Sequence, residues 1–168
     1  MTTAPEGFED LVQANAHFAE SFDLSGFDGI AHAGVAIVTC MDSRIDPLGM
    51  LGLKPGDAKI FRNPGGRVTA AALEALVLGV HLLNVRRIVI APHTRCAMTS
   101  STEVALREKV GASAGVDASW QGFHVVRDQL DALRQDVAAV RSHPLISDTV
   151  KVGGFIYDVD TGLLEPVG

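Results

Sequence analysis

Two apolar runs in this 168-residue chain end in residues that a buried strand rarely carries without using them. The first is Val35-Ala36-Ile37-Val38-Thr39, rich in β-branched residues and entered from Gly34; it reads as a buried strand. It leads into Cys40-Met41-Asp42-Ser43-Arg44. Extended backbone sends alternate side chains to opposite faces, so Cys40, Asp42 and Arg44 project to one side. The second run, Arg87-Ile88-Val89-Ile90-Ala91, delivers His93 and Cys96 in the same way. A thiol, a carboxylate and a guanidinium are costly to desolvate together unless something uses them, and a bound cation would. Two thiolates and one imidazole are the donor set that Zn²⁺ prefers. Three protein ligands leave a fourth position open, which separates a catalytic site from a closed structural one.

The rest of the chain alternates between the two periodicities. Phe8, Leu11, Val12, Asn15, Phe18 and Phe22 fall at three- and four-residue steps and predict a helix from Phe8 to about Phe22. A turn-rich connection follows as far as Gly34, and its His32 has no partner that would make it a metal ligand. Pro47 suits the first turn of a short helix over Leu48–Leu53. Ala58–Phe61 reads as a strand, and Asn63-Pro64-Gly65-Gly66 as a tight turn. Val68–Leu83 is apolar on nearly every side and predicts a buried helix; in so short a chain, a partner subunit would cover part of it. His81 on this helix reads as a core or interface residue. Val85–Ala91 is the second strand of the site. Thr99-Ser100-Ser101-Thr102-Glu103 offers caps for a helix to about Val110, and Gly111–Gly122 reads as loop. Phe123, Val126, Leu130, Leu133, Val137 and Val140 predict an amphipathic helix that ends before His143-Pro144. Thr149–Val159 and Leu163–Val167 predict a hairpin around Asp160-Thr161-Gly162. Strands alternating with helices give an α/β class: a mostly parallel β-sheet flanked by helices, with an N-terminal helical arm and a C-terminal hairpin. The expected organisation is one domain over residues 1–168, with about 1–34 as arm and connection.

Composition excludes some function classes. The net charge of −6 gives no support for nucleic acid or an anionic membrane surface as partner. Val68–Val85 comes nearest to a membrane span, but Thr69, Glu74, His81 and Asn84 interrupt it. Met1-Thr2-Thr3-Ala4-Pro5-Glu6 has neither a basic nor an apolar leader segment, so a cytoplasmic location is expected. Cys40 and Cys96 are the chain's two cysteines. In a cytosolic chain a stable disulfide is disfavoured, and a metal suits them better.

At these residues the chain resembles the β-carbonic anhydrases. Cys-x-Asp-x-Arg at one strand end, then His-x-x-Cys about fifty residues later, looks like that family's paired motif, and Arg62-Asn63-Pro64-Gly65-Gly66 is similar to its Arg-Asn-Ala-Gly loop. The likeness runs from about Val35 to the last strands. It implies Zn²⁺ on Cys40, His93 and Cys96, and reversible hydration of CO₂ to bicarbonate by a zinc-bound hydroxide. It also implies catalytic parts for Asp42 and Arg44, and a homodimer or higher homo-oligomer with pocket residues from both subunits. It places the Asn63-Pro64-Gly65-Gly66 loop beside the pocket, with Asn63, Gly65 and Gly66 as substrate-binding candidates; on the residues alone the loop is simply a turn. Arg95-Cys96-Ala97 departs from the Asp-Cys-Gly that often follows His-Thr in the family, which reverses one charge near the site.

Two expectations concern the pocket's chemistry. Asp42, paired with Arg44, would accept a hydrogen bond from the bound nucleophile; turned inward, it would be the fourth zinc ligand and close the site. The pair is expected to be buried, and a buried pair is a costly structural device. Hydrolysis of CS₂ or COS on the same ligands, or a zinc-binding module without catalysis, are the alternative functions.

Overall fold

A computed structural model describes residues 4–168. Five strands form one sheet in the order β2-β1-β3-β4-β5. They are β1 (Val35–Cys40), β2 (Ala58–Asn63), β3 (Arg87–Ala91), β4 (Lys151–Tyr157) and β5 (Leu164–Val167). The first four run parallel, and β5 pairs antiparallel with β4 around the expected turn. The helices are α1 (Glu9–Glu20), α2 (Ala70–Leu82), α3 (Ala97–Ser100), α4 (Glu103–Ala114) and α5 (Gln129–Arg141). The expected α/β architecture, with its arm and hairpin, is therefore the one observed.

β1 is central, and every one of its residues is buried, as its apolar run requires. Its register sets Thr39 beside Ala91 of β3 and Cys40 beside Asn63 of β2. Three strand ends thus open at one edge of the sheet. The core beneath is built from Ala36, Val38, Ile88 and Ile90 of the sheet, Leu76 of α2, and Leu133 and Val140 of α5. Gly154 lets α5 approach β4 closely: a methyl added there would stand 2.9 Å from Val137 and 3.2 Å from Leu133.

Several boundaries differ from the sequence expectation for physical reasons. The short helix after Pro47 is a single 3₁₀ turn, Gly49–Leu51, which Gly52 closes in a left-handed conformation. α4 continues through Gly111 to Ala114 and stops at Gly115, also left-handed, so part of the expected loop is helix. α5 begins at Gln129 rather than Phe123, because the Asp128 carboxylate caps the Asp131 N–H. Phe123 and Val126 keep helical spacing but lie outside the helix; Val126 N–H donates to the Met98 carbonyl at 2.8 Å.

α2 is not buried all round within this chain. Ala72, Leu76 and Gly79 are covered, but Leu78 and Leu82 are exposed. α1 buries no residue at all, and Phe8, Leu11, Val12, Phe18 and Phe22 lie open. His32 Nε2 lies 2.9 Å from Asp28 Oδ1, and the exposed His81 contacts the Leu145 carbonyl at 2.7 Å. Neither histidine takes part in the cluster at the strand ends. Among the described residues, no helix is long and apolar enough to cross a membrane.

Candidate metal centre

The ends of β1 and β3 bring Cys40, His93 and Cys96 together, with their ligand atoms all within 4.8 Å of one another and all three residues buried. The two sulfurs stand 4.0 Å apart. A disulfide needs about 2.05 Å, whereas two thiolates about 2.3 Å from one tetrahedral ion stand roughly 3.8 Å apart. The spacing would suit a shared cation. His93 supplies a second sign. Its Nδ1–H donates to the Thr94 carbonyl at 2.8 Å, which fixes the tautomer and leaves Nε2 with a free lone pair. That Nε2 is fully buried and has no hydrogen-bond partner. A buried nitrogen left unpaired is expensive, and a cation is the partner that three such donors share.

The thiols are electrostatically prepared for that partner. A hydrogen bond from the Cys96 thiol, helped by the backbone N–H groups of Asp42 and Gly65, holds the Cys40 thiol down to about 5, although burial opposes it. Contact with Cys40 and burial push the Cys96 thiol up. A bound ion would displace the thiol protons.

Asp42 is turned to Arg44. Nε of Arg44 donates to Oδ1 at 2.9 Å and Nη2 to Oδ2 at 2.7 Å, and the Arg44 backbone N–H adds a third bond at 3.0 Å. These bonds hold the Asp42 carboxyl well below the usual carboxylate range. Such a group contributes stability above its unfolded value, near about 3.9, that is lost only as pH falls through the lower folded value. The pair is therefore intact across neutral pH. Oδ2 lies 3.7 Å from His93 Nε2, too far for a hydrogen bond but beside the position the ion would take. The pair is not buried as expected: the Asp42 side chain is 21% exposed and that of Arg44 38%, because the residues after Cys40 leave the sheet and reach the pocket mouth.

Pro64, Met41, Ala97 and Met98 complete the walls of a small cavity of about 160 Å³ around these groups. Larger hollows exist elsewhere, including one of about 510 Å³ beside α5 and β5, but none gathers such donors. The turn after β2 lies against the site. Gly66, at φ +65°, presses on the strand: a methyl there would stand 2.9 Å from the Cys40 nitrogen. Gly65 faces the Cys40 sulfur through its N–H, and the Asn63 side chain is committed to both backbone groups of Arg67, at 2.7 and 2.8 Å. Arg95 adopts a left-handed φ of +54° between the two ligands, and its guanidinium, 62% exposed, pairs with Asp160 at 3.0 Å.

Two contributors escaped the sequence reading. Arg62 donates to the Cys40 carbonyl at 2.9 Å and to the Asp42 carbonyl at 2.5 Å, and so holds the backbone of the first motif. Gln129 donates to the His93 carbonyl at 2.9 Å. Arg62 was visible in its motif, but its acceptors are backbone atoms, which no pattern of residue types reveals.

A family model described as carbonic anhydrase matches residues 35–120, which span both motifs and the turn between them. The chain belongs to the β-carbonic anhydrase family. It is 32% identical over 133 residues to β-carbonic anhydrase 1 of Mycobacterium tuberculosis, covering 79% of this chain and 81% of that one. The carbonic anhydrase structure from Streptococcus mutans superposes with a TM-score of 0.86 at 35% identity, covering 99% of this chain and all of that one. Carbon disulfide hydrolase of Acidithiobacillus thiooxidans is also 32% identical, over 152 residues that cover 77% of this chain and 75% of the relative. The chain is thus similar to proteins named for two different substrates.

One divalent metal ion per chain is expected by elemental analysis of the purified protein. Cys40→Ser and Cys96→Ser should each lose most of it, because a hydroxyl is a poor substitute for a thiolate. Full retention in both variants would contradict the assignment.

Proposed function

We propose that the protein is a zinc enzyme that hydrates carbon dioxide reversibly to bicarbonate and a proton. The observation that carries this reading is the buried pair of thiols with the orphaned His93 Nε2, in a small cavity whose remaining walls are largely apolar. Two sulfurs and one nitrogen suit zinc. Zinc, when bound, is a Lewis acid that makes water nucleophilic near neutral pH.

The chain's own residues would do the rest. Asp42 accepts a hydrogen bond from the attacking water at Oδ2 and turns it toward the substrate. Arg44 holds that carboxylate ionised and directed by its bidentate grip. In this arrangement Asp42 is not a ligand. Met41, Pro64, Ala97 and Met98 offer an apolar surface to a small, uncharged electrophile. Gly65 and Gly66 bring backbone close to the cavity, and Asn63 fixes their turn, so we assign these three to shaping the substrate pocket.

A second reading has its own support. The hydrolase of carbon disulfide from A. thiooxidans is as similar in sequence as the mycobacterial relative, and an apolar cavity also suits CS₂. Stopped-flow CO₂ hydration, measured beside sulfide release from CS₂ on the same metal-verified protein, separates the two. Hydration well above the buffer rate, without sulfide release, is expected. A hydrogen bond to a charged group is worth about 1.5–3 kcal/mol, so Asp42→Ala should lower kcat about 10- to 100-fold while keeping the metal. Arg44→Ala should fall similarly and stay folded, since the pair is partly solvated. Sulfide release without hydration would overturn the first reading.

We also infer that the protein is a cytoplasmic homodimer or higher oligomer, with residues 1–168 as one domain. The open apolar stripe of α1 and the exposed Leu78 and Leu82 of α2 support it, because monomers seldom leave so much apolar surface in contact with water. Light scattering at micromolar concentration should give at least twice the chain mass; a monomer would contradict this.

A further inference from the structure

One half-buried ion pair has no part in the chemistry above. Thr39, His93 and Asp136 are the buried polar side chains among the described residues, and Asp136 alone lies on a helix, in the core-facing row of α5 with Ala132, Leu133 and Val140. A carboxylate is a costly occupant of such a row. Its partner is Arg67, which donates through Nε at 2.6 Å and Nη2 at 3.0 Å, and Val68 N–H adds a bond at 3.1 Å.

Contacts run from this pair to the metal centre without a gap. The Arg67 N–H donates to the Asn63 side chain and its carbonyl accepts from it. Between Asn63 and Arg67, Gly66 lies so close that a methyl on it would stand 2.9 Å from the Cys40 nitrogen and 3.3 Å from Pro92 Cα, next to His93. The Asn63 carbonyl accepts from Met41 N–H at 3.1 Å. The turn is thus wedged between the two strand ends that carry the ligands. At the other end of α5, Gln129 holds the His93 carbonyl. One helix therefore holds the His93 segment directly and reaches the Cys40 segment through the turn, and Leu133 and Val137 seat that helix on Gly154 of β4.

We propose that Arg67 and Asp136 are positioning residues: their pair presses the Asn63–Arg67 turn onto Cys40 and sets the spacing between Cys40 and the His93–Cys96 loop before a metal ion arrives. The inference rests on the zinc site proposed above.

The test must separate positioning from stability. Zinc-loaded wild type is compared with Asp136→Asn, with the double variant Arg67→Met/Asp136→Leu, and with Val140→Ala as a core-destabilised control on the same helix. Each is held equally far below its own thermal midpoint while zinc release to a chelator is timed. Each is also substituted with Co²⁺ and its visible spectrum recorded. Asp136 is the buried partner, and replacing both members of an ion pair with a buried carboxylate by apolar residues of similar size often restores stability, so the double variant should regain the thermal midpoint. If the pair positions the ligands, Asp136→Asn and the double variant should still release zinc about tenfold faster than Val140→Ala, with altered cobalt bands. Release that simply follows the thermal midpoint, or cobalt spectra identical to wild type, would overturn the proposal. Should the double variant not fold, Asp136→Asn against Val140→Ala decides alone. A wild type that takes up no zinc overturns both readings, whereas a zinc-holding wild type with unchanged variants overturns only this one.

Discussion

The structure depends on a desolvation problem at the ends of β1 and β3. Cys40, His93 and Cys96 are 4%, 0% and 1% exposed, and the free His93 Nε2 has no partner in the protein. Donors buried this completely are stable only when something satisfies them. The parallel pairing of β1 with β3 creates the problem, because it sets Thr39 beside Ala91 and so brings both motifs to the same edge. Neither strand alone makes a site. Their register does, and the core of Val38, Ile88, Ile90 and Leu76 holds that register.

Around the donors, polar groups are divided by the partner they hold. Some hold backbone: Arg62 on the Cys40 and Asp42 carbonyls, Gln129 on that of His93, and the Thr39 hydroxyl on the Ala91 carbonyl at 2.6 Å. Nearer the mouth, charged side chains pair with one another, Asp42 with Arg44 and Arg95 with Asp160. Solvent screens these outer pairs, so they direct side chains more than they stabilise the fold. The Thr39 bond is buried and works in a drier setting, where geometry is held more firmly.

Much of this was legible in the sequence, because the signals are local. The apolar β-branched runs mark β1 and β3, and the residues that end them announce their chemistry by type. The hairpin between β4 and β5 is marked by Asp160-Thr161-Gly162 in the same way. The errors came where a local pattern had a tertiary purpose. Phe123 and Val126 keep step with α5, yet their segment crosses to the site and bonds Met98, so the helix starts later. The Asp42–Arg44 pair looked buried from its position beside a core strand, but the chain turns outward directly after Cys40. The link between Arg67 and Asp136 joins residues 69 apart, and neither residue looks unusual in its own neighbourhood. Arg67 reads as part of a turn, and Asp136 as one more polar residue on an amphipathic helix.

The central claim is that two thiolates and one imidazole of this chain hold one zinc ion with a fourth position left to a light atom. Zinc X-ray absorption on the wild-type protein near neutral pH tests it most directly. The expected fit is two sulfurs at about 2.3 Å and two nitrogen or oxygen neighbours at about 2.0–2.1 Å. A shell with any other number of sulfurs, or with no light ligand beyond one nitrogen, would contradict the account.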